Sequence, residues 1–567
     1  MRKSFFKKSA ALLMMSSLVV SVVGCGNFGG KKSETITLDV YSQLANYSGV
    51  QTGWIADILK EKFNVKLNII PEGDGVYETR MEEGNLGDIV VWGNDSDKYP
   101  QAVKAGLLYD WNEDNLLDEY GKDIKKNMPD ALRKNQELTS NITDGASDTL
   151  YGFGHNVAIS RDDHESFFYT WDIRWDLYKE LGYPTVKTLD DYEKLLKDMC
   201  KLCPEDDSGN RTYAVSLWPD WDDAMVMYVK ASATAWYGYD ELGIGLYDPQ
   251  TGNYHDALEE NGPYLEMLKF YNNLYQDGLI DPDSMTQTYD KMIEKVQNGG
   301  TMFSIFNYSG SLGYNKEAHT SAGKMMCSMK PEDATPIVYG MNPEGGERLW
   351  TIGASTEYPE ECMEVINWLS TPEGRLTTDY GPKGECWDYD EEGKTYFTEL
   401  GKQCHTDKKT KIGNGHKGTF QDGLLQINNT TWSVDASNPE SKGDTYNCDN
   451  WESNQQEAGS EIEKDWREKT NSVSVNSYME QGKYVVSPGT SYSKSEKSDE
   501  LKTTWNQVTS ELISSSWKAI YAKSDAEYNK IVDNMIKKCK KYGYDDCVSW
   551  SKNEASIRKG LEDALTQ

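Results

Sequence analysis

The chain has 567 residues and a formal charge of −33, with 92 acidic against 59 basic residues, 17 Trp and 36 Tyr. That length exceeds what one hydrophobic core sustains, so more than one core is expected. A surface this acidic repels phosphate backbones, which excludes nucleic acid as a partner.

The first 24 residues read as an export signal. Arg2, Lys3, Lys7 and Lys8 precede an apolar run over residues 10–23, too short to span a bilayer. The run ends in Val22-Val23-Gly24-Cys25, which resembles a bacterial lipoprotein lipobox. The resemblance implies cleavage before Cys25 and a diacylglyceryl group on its sulfur, and two acyl chains anchor where one does not. Residues 1–24 are then a signal peptide and 25–34 a flexible tether. Losing the four basic residues of the signal takes the mature charge to −37.

Further along, residues 35–43 read as a strand, 53–64 as a helix with Ile55, Ile58, Leu59 and Phe63 on one face, and 65–73 and 87–95 as strands. Strand, helix, strand implies a parallel sheet, and the continuous apolar "IVVW" fits a buried strand. Ligands in open α/β sheets sit beyond strand carboxyl ends, so Trp92 and Asn94 are binding candidates. "TLYGFGHNVAI" (149–159) is extended and glycine-interrupted. Residues 169–199 read as two helices, the first carrying Trp171 and Trp175 and ending at Gly182. The second is capped by Thr188 with Asp191 three residues on. A helix pair and the strand "TMFSIF" follow within 265–307, then the strand "RLWTIGAST" and a helix opened by Pro359.

Tryptophan alternates with carboxylate in several places. "WDIRWD" holds Trp171, Asp172 and Arg174; "LWPDWDD" holds Trp218, Trp221 and Asp222 in a Pro-containing loop; Trp236 lies in "AWYGYDE", and Trp387 and Asp388 in "ECWDYDEE". Asn307 and Tyr308 follow "FSIF". Flat rings stack on sugar faces while polar groups take hydroxyls, so this set is the expected ligand site. Each tryptophan is also readable as core filling.

Nine cysteines remain beyond Cys25, an odd number. Cys200-x-x-Cys203 lacks a second pair or nearby histidines, so no zinc site is expected. Cys539 and Cys547 bracket a short loop, and the rest read as free thiols. No nucleophile elbow, metalloprotease motif, P-loop or dinucleotide fingerprint occurs, so no enzyme and no cofactor are expected.

The order of "DIRWDLYKELGYP", "TLDDYEKLL", "DGLIDPDS", "GGTMFSIFN", "INWLSTPEG" and "GPKGECWDYDEEGKTY" resembles the extracellular solute-binding lipoproteins of ABC importers, and more narrowly their large carbohydrate-associated branch in Gram-positive bacteria. The likeness runs from about residue 35 to 400. It implies an α/β, two-lobed periplasmic-binding-protein-like fold with a hinge and an interlobe ligand cleft. The lobes are expected at 35–155 plus 336–372 and at 156–335 plus 373–567, the latter with a C-terminal helical extension. Crossings are expected at 151–157, 337–339 and 371–375. Some relatives carry a calcium loop; the matching stretch 203–213 keeps Asp206, Asp207 and Gly209 but lacks a closing acidic residue, so no metal is expected. The implied protein is a monomeric receptor on the extracellular face of the cell membrane, lipid-anchored, with an oligosaccharide ligand and ABC permease partners. The acidic surface argues against polyuronates. A polysaccharide-binding sensor or adhesin without transport, or a glycoside-active enzyme, is the alternative.

Overall fold

A computed structural model describes residues 34–565 apart from positions 74, 144, 146, 147, 162, 456, 457 and 493. Cys25, the signal peptide and the tether up to residue 33 lie outside the described residues. Among them, no helix is long and apolar enough to cross a membrane.

The chain opens as the apolar pattern dictates. Strand β1 (Ile36–Ser42) and the short β2 (Gly49–Val50) lead into α1 (Gly53–Phe63), β3 (Val65–Pro71) and β4 (Ile89–Val91). β1 pairs in parallel with both β3 and β4. Helix α2 (Pro129–Ile142) has Pro at its first turn, where the missing N–H is harmless. β5 (Gly152–Gly154) then joins the same sheet. Its glycines are required: a Cβ at Gly152 would stand 1.9 Å from the Trp350 carbonyl oxygen of the neighbouring strand.

After β5 the chain leaves this core. β6 (Tyr169–Arg174) is the central strand of a second sheet, followed by α3 (Trp175–Glu180) and α4 (Leu189–Leu202). Thr188 and Asp191 close a reciprocal capping box at the start of α4, as the sequence predicts. Helix α5 (Met227–Tyr237) is buried almost end to end. A three-stranded meander, β7 (Asp240–Leu242), β8 (Gly245–Tyr247) and β9 (Tyr254–Asp256), precedes α6 (Pro263–Gln276) and α7 (Tyr289–Gln297). β10 (Phe303–Phe306) and β11 (Met326–Ser328) flank β6, both antiparallel. The β6–β10 register slips between Ser304 and Phe306, placing two β6 residues, Thr170 and Trp171, opposite one. Trp171 takes a φ of +52° at that bulge.

β12 (Ile337–Tyr339) still belongs to the second core, and the chain then returns to the first sheet as β13 (Leu349–Ile352), antiparallel to β4 and β5. Helices α8 (Pro359–Leu369) and α9 (Pro372–Tyr380) and the hairpin β14 (Trp387–Tyr389) and β15 (Thr395–Phe397) stay there, as do Phe420, Trp432 and Trp451. The final passage into the second core follows Trp451. Ile462 and Trp466 are already in it, β16 (Val485–Ser487) pairs with β12, and the long helices α10 (Asp499–Ile520), α11 (Asp525–Tyr542) and α12 (Tyr544–Leu565) complete it. They are integral: Asn272 donates to the carbonyls of Ile520 and Ala522, and the Tyr264 hydroxyl donates to that of Ser516.

Two boundaries therefore differ from the expectation. Residues 373–451 pack with the first lobe, because α9 and the hairpin bury Leu376, Tyr380, Trp387 and Phe397 there. Ile337 and Val338 pack with the second. The last crossing comes some 80 residues later than the sequence-based one at 371–375, which is the middle of the α8–α9 pair.

Candidate functional site

The first two chain crossings leave from one edge of the first sheet. β1, β4 and β5 end there and β13 begins there, since Leu349 pairs with Gly154 and Trp350 with Val91. In the second lobe the matching edge is the start of β6 and the end of β10, because Tyr169 pairs with Phe306. The space between these edges is the cleft.

One cavity of about 490 Å³ draws its walls from both lobes. Asn447, Asp449 and Asn450 come from the first, and Phe167, Thr170, Asn307, Ser311 and Asn476 from the second. A neighbouring space of about 460 Å³ is bounded by Asp163, His164, Asp435, Asn450, Glu480 and Tyr484. Burial, and next the nearby Asp435 charge, push the Glu165 carboxyl in the first crossing up to about 6. Asp435 accepts from the Ser166 N–H and hydroxyl and from the Asn447 amide, stitching the crossing to lobe 1.

On the other side of the β6 and β10 ends lies an aromatic platform. Phe168, Tyr169, Trp221, Phe306 and Tyr308 line a hollow of about 460 Å³ with Lys230 and Glu241 at its rim. Trp221 is 48% exposed and Phe168 40% exposed. Trp221 lies 4.7 Å from Tyr289, 30° from coplanar, and 6.0 Å from Tyr308. Phe168 is 5.5 Å from Tyr308, and Tyr308 stacks on Phe306 at 5.0 Å. Lys230 is held by Glu241 at 2.8 Å. This surface offers ring faces to solvent, which single soluble domains rarely do without a ligand to cover them.

Of the residues named from the sequence, Trp221 and Tyr308 line this platform and Asn307 lines the cleft. Asn94 stands at the cleft edge just beyond β4, where its Oδ1 accepts from the Ser96 N–H and hydroxyl. The others are corrected. Trp92 is fully buried between Tyr77 and Tyr99, its Nε1 donating to Thr351. Trp171 is on a strand, not a helix, and stacks in the core on Phe303. Asp172 is fully buried and accepts from the Ser311 N–H and the Ser328 hydroxyl. Arg174 is locked onto Asp176 through Nε and a terminal nitrogen at 2.9 and 2.6 Å. Trp218 is 1% exposed and forms the floor beneath Trp221. Asp222 braces the loop: one oxygen accepts from the Met227 N–H that opens α5, the other from Trp517 Nε1 of α10. Burial raises its carboxyl to about 6. Trp236 packs edge-on against Trp171. Trp387 is buried in lobe 1, and Asp388 beside it accepts from the Tyr389 N–H; neither borders the cleft.

Phe168 and Tyr289 are the residues that sequence reading passed over. Phe168 lies just before the segment read as a helix, and its exposure depends on the pairing of β6 with β10. The carboxylates of the 203–213 loop are held by its own backbone and by a neighbouring segment. Asp206 accepts from the Ser208 and Asn210 N–H groups, and Asp207 is paired with Lys324.

Two α/β lobes joined by three crossings, with a polar cleft and an aromatic platform beside it, define a bilobal binding protein. Residues 54–380, more than half of the chain, match the model of the bacterial extracellular solute-binding proteins, and the chain belongs to that family. It is 24% identical over 371 residues to lipoprotein LipO of Bacillus subtilis (strain 168), a match covering 60% of this chain and 62% of LipO. In fold it is similar to the ABC-transporter substrate-binding protein FusA of S. pneumoniae, solved as an EF-hand mutant with fructo-nystose (TM-score 0.56, 14% identity, 94% of this chain and 99% of that one). It is also similar to the N-glycan transport solute-binding protein NgtS of Streptococcus pneumoniae (TM-score 0.53, 14% identity, 93% of this chain and all of that one).

Proposed function

We propose that this protein is a membrane-tethered receptor that captures an oligosaccharide between its lobes and delivers it to an ABC permease. The observation that carries the reading is the exposed platform of Trp221, Tyr289, Tyr308 and Phe168 beside the cleft. Ring faces of this size suit the C–H faces of a pyranose or furanose, and the amides of Asn307, Asn447 and Asn450 suit its hydroxyls. FusA and NgtS, which share the fold, are a fructan-bound and an N-glycan transport protein, and that supports the sugar class.

Charge narrows the class. The cationic side chains that border the platform and the larger cavity are committed: Lys230 to Glu241, and Arg467 to Glu463 at 2.6 Å. The adjoining space carries Asp163, Asp435 and Glu480 and, among the described residues, no lysine or arginine. A polyuronate would meet these carboxylates with no free cation beside them among the described residues, which favours a neutral ligand. The lipobox at Cys25 supplies the tether, which raises the receptor's local concentration at its transporter.

Isothermal calorimetry against maltotetraose, cellotetraose, xylotetraose, mannotetraose and nystose tests this reading. Saturable binding of a neutral glycan without its hydrolysis is the expected result. Binding of none of them, or cleavage of one, contradicts it.

A further inference from the structure

We infer that the side-chain amide of Asn429 is a further lobe 1 part of the ligand site, besides Asn447 and Asn450, and takes a pair of neighbouring sugar hydroxyls. The inference rests on the receptor reading above and adds a group that faces the ligand from the lobe opposite the aromatic platform.

Asn429 lies on a stretch laid across the cleft-facing edge of the first sheet. Its neighbours fix the position. The Ser42 hydroxyl at the end of β1 donates to the Ile427 carbonyl, and Asn428 donates to the Leu44 carbonyl. On the other side, Trp350 Nε1 of β13 donates to the Thr430 carbonyl, and the Thr430 hydroxyl donates to Asn156 in the first crossing. Residue 429 is therefore bracketed between the carboxyl end of β1 and the segments that pass to lobe 2. In open α/β sheets that edge is where ligands bind.

The side chain itself is anomalous. Both Nδ2 and Oδ1 of Asn429 are shut from solvent and neither has a hydrogen-bond partner. A buried amide with both functions unused is a standing cost to the fold, and folded proteins satisfy such groups unless something else does so. The flanking polar residues Asn428 and Thr430 are satisfied, so the region does not lack partners in general. Gln43, just past β1, accepts from the Gly93 N–H at 2.8 Å through Oε1. Its Nε2 makes no bond of acceptable geometry, with the Tyr41 hydroxyl beside it. Two amides with spare capacity thus stand at the cleft-facing edge of the first sheet. A primary amide presents one donor side and one acceptor side, which matches two vicinal hydroxyls, one accepting and one donating. Domain opening at the three crossings would give a sugar access to them, and closure would bury it against Trp221 and Tyr308.

The test compares wild type with Asn429→Leu, a substitution of similar volume, and with Asn429→Ala should leucine not fold. Two quantities are read: the melting temperature without sugar, and the affinity for whichever of maltotetraose, cellotetraose, xylotetraose, mannotetraose or nystose wild type binds tightest. With no native partner lost, melting is expected to stay or rise, while affinity falls about tenfold, the scale of one well-made polar contact. A loss of affinity smaller than about threefold, or a fall in melting temperature without sugar, overturns the assignment. If wild type binds none of the five sugars, the receptor reading fails and this inference falls with it; if wild type binds and the variant binds equally, only the inference fails.

Discussion

Trp218 and Trp221, three residues apart in one loop, meet edge to face with ring centroids 5.5 Å apart and planes at 87°. One is 1% exposed and the other 48%. Trp218 supports; Trp221 faces solvent, where the proposed ligand would stack. Trp218→Ala is expected to cost about 3–5 kcal/mol of stability through the cavity it leaves. Trp221→Ala should leave melting nearly unchanged and weaken glycan binding by about tenfold, the worth of one sugar face covered by a ring. Paired thermal denaturation and calorimetry separate the two. Equal losses of stability in both variants would contradict this division of roles.

Asp222 belongs with the scaffold. It holds the start of α5 and the indole of Trp517, so it ties the platform loop to the C-terminal helices. Asp222→Ala strands two donors and is expected to destabilise by about 2 kcal/mol, the scale for a buried charge-assisted pair. Affinity measured well below the melting temperature should hold. A loss of affinity at unchanged melting would place the carboxylate on the ligand instead.

Part of both lobes was legible: the βαβ opening of the first and the capping box at Thr188 in the second follow from period and cap residues. The burial of individual tryptophans was not. "YTWDIRW" carries apolar residues at spacings that suit a helix, and its strand state depends on pairing with Phe303–Phe306 and Met326–Ser328, more than 120 residues away. Likewise, nothing local to "LWPDWDD" shows that Trp218 points down onto Tyr228 and Phe306 while Trp221 points out. The membership of residues 373–451 in lobe 1 depends on side chains such as Trp432, whose Nε1 donates to the Ser370 carbonyl. Asn429 carried no signal, because an unsatisfied amide exists only once the fold has buried it.

The Glu165 carboxyl predicts a pH dependence. Its folded pKa of about 6 lies above the ordinary glutamate value, first through burial and then through Asp435. The folded state therefore holds the proton more tightly than the unfolded one. This residue's contribution grows as pH falls from 7 to 5 and is lost as pH rises through 6, by about 1 kcal/mol in all. Glu165→Gln should flatten that part of the profile and be the more stable protein at pH 7.5. Chemical denaturation of both proteins at pH 5 and 7.5 checks it; parallel profiles would show that Glu165 does not titrate there.

Cys25→Ser addresses the tether. In cells, the variant is expected to lose lipid labelling and to appear in the medium rather than the membrane fraction. Retention of the variant on the membrane to the wild-type extent would remove the lipoprotein reading.

Capture of a sugar between moving lobes is the central claim, and small-angle scattering reads it directly. The protein lacking its signal and tether is measured alone and with a saturating amount of the neutral oligosaccharide it binds best. A smaller radius of gyration is expected with sugar, and for Trp221→Ala the same decrease only at about tenfold higher sugar concentration. An unchanged radius at proven saturation would contradict closure and leave a rigid carbohydrate-binding surface in its place.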